Sequence, residues 1–282
     1  VGDGVRRLLG AEVVASRPVG GGCISDARRV ELADGTVVFA KSGHGLPAGL
    51  LAAEANGLRW LAGAGPGAVR VPEVLASDAA VLVLEWIEPG SPTGDTAAAL
   101  GTGLALLHAA GAPAFGAGDD GFIGILPQRN TPTGDDWPGF WFTRRIQPLV
   151  RQALDRGNIG AEVVPLVDRL GARLPDLAGP AEPPARVHGD LWSGNVLTGT
   201  GGVPWIVDPA AYGGHREVDL AMLSLFGRPA PATLAAYREA TPLADGWEQR
   251  LGLWQLEPLL THTVMFGGGY GAQAHEVLRR FV

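Results

Sequence analysis

The sequence predicts an α+β protein of two lobes: a small β-rich N-terminal lobe over residues 1–88 and a larger, mostly helical lobe over 89–282. Apolar and polar residues alternate between turn signals ahead of Gly90, the pattern of half-buried strands. After Ser91 the apolar spacing becomes helical. Between the two, the continuous apolar run Ala79 to Ile87 ends at Pro89-Gly90, which places a hinge near Glu85 to Gly90.

Taken in order, runs at Ala27–Leu32 and Thr36–Ala40 flank Asp34-Gly35, a strong hairpin signal. Leu50 to Gly65 is spaced as a helix with a glycine-rich stop. In the second lobe, DTAAALGTGLALLHAAG is one amphipathic helix, and WPGFWFTRRIQPLVRQAL and GAEVVPLVDRLGARLPDL are two more. A short β-rich patch, ARVHGDLWSGNVLTGTGGVPWIVDPA, interrupts them, and helices from Leu220, Pro231, Trp247 and Ala272 close the chain.

With 282 residues, 46% of them hydrophobic, there is material for a full core. The net charge of −7 argues against nucleic acid or an anionic membrane as the main partner. No apolar run approaches the roughly 20 residues that cross a bilayer, and VGDGVRRLLG lacks the apolar core of a signal peptide. Cys23 is the only cysteine, so no intrachain disulfide can form. A soluble cytoplasmic protein is expected. Cys23 could also join two molecules into a redox-linked dimer, while the oligomeric state itself cannot be read from the sequence.

Gly20, Gly21 and Gly22 precede Cys23. A dinucleotide-binding loop needs G-x-G-x-x-G between a strand and a helix; here Ser25 replaces the third glycine and a strand follows. A glycine flap over nucleotide phosphates fits better, with Gly21 and Gly22 against the phosphates. Lys41, the only lysine in the chain, closes the strand after the hairpin, and Glu54 lies inside the next helix among apolar residues. A carboxylate there calls for a partner, and a lysine held by a helix glutamate is the phosphate-binding pair of a kinase lobe.

The stretch VHGDLWSGNVL carries the chemistry. His188, Asp190 and Asn195 fit H-x-D-x-x-x-x-N, the catalytic-loop pattern of protein kinases, with Gly189 in place of the usual arginine. In that pattern Asp190 accepts the proton of the attacking hydroxyl and Asn195 turns back to a Mg²⁺ ion. Asp208 ends the apolar strand VPWIVD, a second metal ligand. The residues therefore point to ATP and Mg²⁺; a zinc site would need a His or Cys pair that is not present nearby. Trp192 offers an aromatic face to a sugar, and His215 and His262 are further candidates for the substrate pocket. His108, at the end of its helix, reads as structural.

HGDLWSGN followed by DPAAYGGHREVDLAM and LFG resembles the fructosamine-3-kinase (ketosamine-3-kinase) family, a branch of the aminoglycoside-phosphotransferase-like kinases. GFIGILPQRN, the tryptophans after it and the closing THTVMFGGGYG also resemble that family. The resemblance implies a bilobal protein-kinase-like fold and ATP-dependent phosphorylation of the sugar 3-hydroxyl of ketosamines, a step in deglycation and protein repair. It implies Lys41 as the phosphate lysine, Glu54 as its partner, Asp190 as the base, and Asn195 and Asp208 as metal ligands. Glu85 and Ile87 match the hinge that holds adenine, and Asp219 matches an aspartate that braces the catalytic loop. Ribulosamine and erythrulosamine adducts are expected to be preferred over fructosamines. Two departures stand out: AAYGG carries one tyrosine where two aromatics are expected, and no activation segment with A-P-E follows. The alternatives are an aminoglycoside or choline phosphotransferase, and a non-catalytic ATP-binding regulator.

Overall fold

The computed structural model describes residues 1–20, 25–43, 45–116, 119–134 and 136–282. Gly21, Gly22 and Cys23, the expected phosphate flap and its thiol, lie outside the described residues.

The chain begins with α1 (Gly2–Leu9) and β1 (Val13–Pro18), then the hairpin β2 (Asp26–Leu32) and β3 (Val37–Ser42). Asp34-Gly35 forms the turn as expected: Gly35 has φ 86°, and the Thr36 amide donates to Asp34 Oδ1 at 2.8 Å. Helix α2 (Leu50–Ala62) follows, and then β4 (Val74–Ser77) and β5 (Val81–Glu85). The five strands make one antiparallel sheet in the order β1-β2-β3-β5-β4. Strand β5 lies inside the sheet and is buried on both faces, so its sequence is continuously apolar rather than alternating. One face packs on α1 through Val5, Val30, Val38 and Val83; the other packs on α2 through Leu51, Leu58, Leu82 and Leu84.

The second lobe starts with α3 (Thr96–Ala109), a short hairpin of β6 (Gly121–Ile123) and β7 (Leu126–Gln128), and α4 (Trp137–Trp141). The helix expected over 137–154 is not continuous. A π-helical turn, Phe142–Ile146, separates α4 from α5 (Gln147–Asp155). It places Arg145 in the interior, with its guanidinium 4.2 Å from the Tyr212 ring centre. Helix α6 (Val164–Leu177) precedes the β-rich patch, which consists of β8 (Ala185–Val187), β9 (Val196–Thr198), β10 (Pro204–Ile206) and β11 (Tyr212–Gly214). These pair as two small antiparallel ladders, β8 with β11 and β9 with β10. The remaining helices are α7 (Glu217–Leu223), α8 (Pro231–Ala240), α9 (Trp247–Trp254), α10 (Leu256–Phe266) and α11 (Gly269–Phe281).

The main helical core gathers Trp141, Trp254, Leu170 and Leu260, with Trp141 and Trp254 edge to face at 5.0 Å. Packing also joins the sheet-bearing part of the chain to the helical part. Leu61 and Val69 share a core with Leu104, Leu191, Ile206 and Tyr237, and the Ile206 amide donates to the Arg70 carbonyl at 2.8 Å. The C-terminal end of α2 is thus built into the helical lobe. Among the described residues, no helix is long and apolar enough to cross a membrane.

Candidate active site

Lys41 on β3, Glu54 on α2, and Asp190, Asn195 and Asp208 from the β-rich patch converge on one cleft of about 950 Å³. The order of the sheet explains the first pair: β3 is flanked by β5, and α2 lies across that face. Lys41 Nζ donates to Glu54 Oε2 at 2.8 Å and to Asp208 Oδ1 at 3.1 Å. Burial alone would lower the Lys41 pKa, but the two carboxylates outweigh it and raise it, so the ammonium stays charged. Burial pushes Glu54 up to about 7 against the pull of Lys41, and the nearby Asp208 adds to the rise. Glu54 Oε1 is buried and has no hydrogen-bond partner among the described residues.

The catalytic-loop segment is held from beneath. The Asp219 carboxylate, fully buried on α7, accepts from the His188 amide at 2.7 Å and the Gly189 amide at 2.9 Å. His108 Nε2 adds a third contact at 3.1 Å, and Tyr237 sits 2.7 Å behind its Nδ1. Burial would raise Asp219, but His108 and the His188 amide more than offset it, and its pKa lies below the usual carboxylate range. His188 Nε2 lies 2.9 Å from the Val207 carbonyl, and its Nδ1 accepts from the Asp190 amide at 3.2 Å. Burial lowers its pKa, so the ring is neutral and carries its proton on Nε2.

Two glycines in the motif have steric reasons. Gly189 has φ 81°, and a Cβ there would stand 2.3 Å from the Ala210 carbonyl oxygen, so arginine cannot occupy this position in this backbone. A Cβ on Gly194 would meet the Trp192 ring at 2.2 Å. Glycine lets that ring fold back over the turn, where Trp192 remains 37% exposed.

Asp190 is held up at about 7, first by burial and then by the negative charge of Asp208. Asn195 Nδ2 donates to the Asp190 carbonyl at 2.8 Å and to its Oδ2 at 3.3 Å, which leaves the amide oxygen as the free acceptor. Asp208 has φ 55°, the only left-handed non-glycine among the described residues. Such a conformation costs on the order of 1–3 kcal/mol and is found where function needs it. Asp208 and the Asn195 oxygen are hard oxygen donors, a set that fits Mg²⁺, an ion that takes one or two carboxylates and fills its shell with phosphate oxygens and water.

The side of the cleft next to Trp192 is aromatic. Trp192 and Phe226 meet edge to face at 6.2 Å, and the His262 ring stands 5.2 Å from Phe226 and 5.0 Å from Tyr270. His262 Nδ1 is 2.7 Å from the Pro258 carbonyl, which turns Nε2 outward from that bond. Asp119, Asp120, Phe122 and Ile123 line the same cleft.

His215 does not join this site. Only 3% exposed, it packs between Trp137 and Trp254, with Nε2 3.7 Å from Glu182. The sequence offers His215 as a substrate-pocket candidate; two tryptophans remote from it in sequence bury it elsewhere. Glu85 and Ile87 sit at and beyond the end of β5, away from the large cleft; the Glu85 carboxylate accepts from the Glu73 amide at 3.2 Å. His108, which the sequence reads as structural, is the buried partner of Asp219. Two features went unread in the sequence. Glu217, fully buried, accepts from Arg250 at 2.6 and 2.9 Å and from Trp254 Nε1 at 2.8 Å. Leu197, two residues past Asn195, is 39% exposed on β9. The signal was available for Glu217, a carboxylate in the apolar run EVDLAML.

Comparison with known proteins agrees with this geometry. The fructosamine kinase family model matches residues 6–282. A probable ketoamine kinase of Enterococcus faecium is 37% identical over 270 residues, covering 94% of each chain. A chloroplastic protein-ribulosamine 3-kinase of Oryza sativa is 33% identical over 92% of this chain and 76% of its own length. A crystal structure from Thermobifida fusca YX-ER1 that carries the fructosamine-3-kinase name superposes with a TM-score of 0.92 at 45% identity, covering 99% of this chain and 97% of that one.

Proposed function

Because this chain belongs to the fructosamine kinase family, we propose that its cleft transfers the γ-phosphoryl group of ATP to the 3-hydroxyl of ketosamines. The protein is a kinase of ketosamines. Convergence of Lys41, Glu54, Asp190, Asn195 and Asp208 on one cleft carries the reading.

Lys41 meets the phosphates as a compact charge, kept protonated by its two carboxylates. Glu54 fixes the ammonium from behind. Asp190, with a pKa of about 7, is ionised often enough near neutral pH to accept the hydroxyl proton and basic enough to hold it. Asn195 and Asp208 would hold Mg²⁺, which supplies positive charge to the β- and γ-phosphates. Asp219 and His108 keep the loop, and so Asp190, in place. Glu85 and Ile87 are the reading for adenine, which sets the base beyond the lining of the large cleft. Strand β9 is pinned to the hinge by the Gly90 amide donating to Thr198 at 2.9 Å. Trp192 and His262 face the sugar, with aromatic C–H contact from the former. Asp119 and Asp120 complement the protonated amine of the adduct.

Phosphate on the 3-hydroxyl destabilises the adduct and returns the free amine, a repair chemistry. Ribulosamines and erythrulosamines are the preferred acceptors in this reading. ATP consumption measured against ribulosamines, erythrulosamines, fructosamines, aminoglycosides and choline tests it. Turnover with the ketosamines, highest kcat/KM for the shorter sugars, is the expected result. Turnover with an aminoglycoside or choline alone would refute the function, and a fructosamine preference would refute the sugar assignment.

A further inference from the structure

The hairpin β6–β7 belongs to the helical lobe by sequence but stands on both lobes. Leu126 is buried in the main helical core, with Ile123 packed against it. Phe122, the neighbouring residue, packs instead against the core formed by the sheet and α2, with Leu50, Leu51 and Leu58. The base of the hairpin is fastened by buried Arg145. Its Nη1 donates to the Arg129 carbonyl at 2.7 Å and its Nη2 to Asn130 Oδ1 at 2.8 Å. With the Gln128 amide oxygen turned to the guanidinium, a further contact of 2.8 Å forms. Asn130 in turn donates from its backbone to Asp120 Oδ1 at 2.8 Å and from Nδ2 to the Asp119 carbonyl at 3.2 Å.

The contact matters because of where it falls on α2. The C-terminal end of that helix is anchored: Trp60 lies under Arg186, whose Nη1 donates to the Trp60 carbonyl, and Leu61 sits in the helical-lobe core. At mid-helix, Gly57 faces Pro209 and Ala211, just past Asp208. The N-terminal end rests on the sheet through Leu50 and Leu51 but has no comparable anchor in the helical lobe's own core. Gly49 caps it in a left-handed conformation with no side-chain hydrogen bond, and no acidic residue occupies the first turn. Glu54 lies one turn from that end, and Phe122 packs there from the helical lobe, beside Gly49 and the cluster that holds Leu50.

We propose that Phe122 is a positioning residue: it holds the open end of α2 and thereby keeps Glu54 on Lys41. The hairpin wall that faces the acceptor is by this contact also part of the nucleotide site. The inference rests on Lys41 and Glu54 being the nucleotide-phosphate pair, but not on the identity of the acceptor.

A double-mutant cycle on nucleotide affinity tests it. The dissociation constant of a non-hydrolysable ATP analogue with Mg²⁺ is measured by calorimetry for the wild type, Phe122→Ala, Glu54→Gln and the double variant. Phe122→Ala is expected to weaken binding about 5-fold, in the usual range of coupling between sites. On the Glu54→Gln background it should add almost nothing, and Phe122→Leu should restore binding. A purely structural Phe122 would lower the melting temperature and leave the two effects additive in the cycle; that result, or unchanged binding by Phe122→Ala, overturns the proposal. If Phe122→Ala does not fold, the same cycle with Phe122→Val decides by the same criterion. Ketosamines are not used, so failure of ketosamine turnover leaves the inference standing, whereas a wild type that binds no nucleotide overturns both.

Discussion

Two groups of carboxylates stand within this molecule, one lining the cleft and one fully buried beneath it, and they are treated oppositely. Beneath the cleft, Asp219 has two amides and an imidazole, and Glu217 has an arginine fork and an indole N–H. In the cleft, Glu54 keeps one oxygen unpartnered among the described residues, Asp208 sits in a left-handed backbone conformation, and Asp190 is pushed up to about 7. A satisfied carboxylate holds a fold together, whereas these three are arranged for charge that arrives with the ligand. The difference teaches that the pattern of dissatisfaction, more than burial, separates the reacting groups from their supports.

The sharpest way to break the comparison is at Asp190. Asp190→Asn should lower kcat by roughly 10²–10⁴, the usual worth of a positioned base, with affinity for an ATP analogue nearly unchanged. Steady-state kinetics on the folded variant check it; near-normal turnover would remove Asp190 from its role. Glu217→Ala should do the reverse. It strands Arg250 and the Trp254 N–H in the interior, and removing one partner of such a pair costs about 3–5 kcal/mol of stability. Urea unfolding should show the loss, and a stability change below about 1 kcal/mol would show that the lower network is dispensable. Lys41→Arg comes next. A planar fork cannot replace a point charge between Glu54 and Asp208, so turnover should fall at least about tenfold. Wild-type rates would mean that the chain's single lysine stands there by chance.

The same contrast sets the pH response. With Asp190 near 7, kcat/KM should rise as pH increases through about 7, because the base must lose its proton to act. Stability without ligand should move the other way. Asp190 has a folded value near 7, above that of a free carboxylate, so the folded state holds its proton more tightly. Its contribution is complete at acid pH and is lost as pH rises from about 4 through about 7. Asp219 and Glu182 have lowered values, so their contribution is present above the ordinary carboxylate range and is lost as pH falls. Melting curves between pH 4 and 8, on wild type and on Asp190→Asn, should therefore differ in slope near neutrality; parallel curves would contradict the assignment for Asp190.

Much of the cleft was legible in the sequence because its chemistry is set by short local spacings. Asp190 and Asn195 are fixed by one turn of chain, and Asp208 by the end of a strand that pairs with its neighbour. Glu54 was legible as a charge with apolar neighbours. What escaped depends on distant packing. His215 is buried by Trp137 and Trp254, and nothing in GGHRE foretells it. His108 needs Asp219 and Tyr237 from other helices to show its part. The π-helical turn at 142–146 hides within a good helical pattern, and the stretch GFIGILPQ reads as a motif while its hairpin geometry, with Phe122 and Leu126 in different cores, does not. Helix α1 and strands β1 and β4 were not distinguished either: α1 has only eight residues, β1 is exposed along almost its whole length, and β4 has only four residues.

The most direct test of the contrast is the unfolding free energy of Asp208→Asn against wild type, in urea at about pH 7.5, without nucleotide or metal. Asparagine tolerates the left-handed backbone, keeps an oxygen for the exposed side of the Lys41 contact, and removes a negative charge facing Asp190 and Glu54. The variant should be inactive yet more stable than wild type by about 1 kcal/mol. A variant destabilised as Glu217→Ala is, by several kcal/mol, would show that Asp208 supports the fold as the lower carboxylates do and would contradict the account.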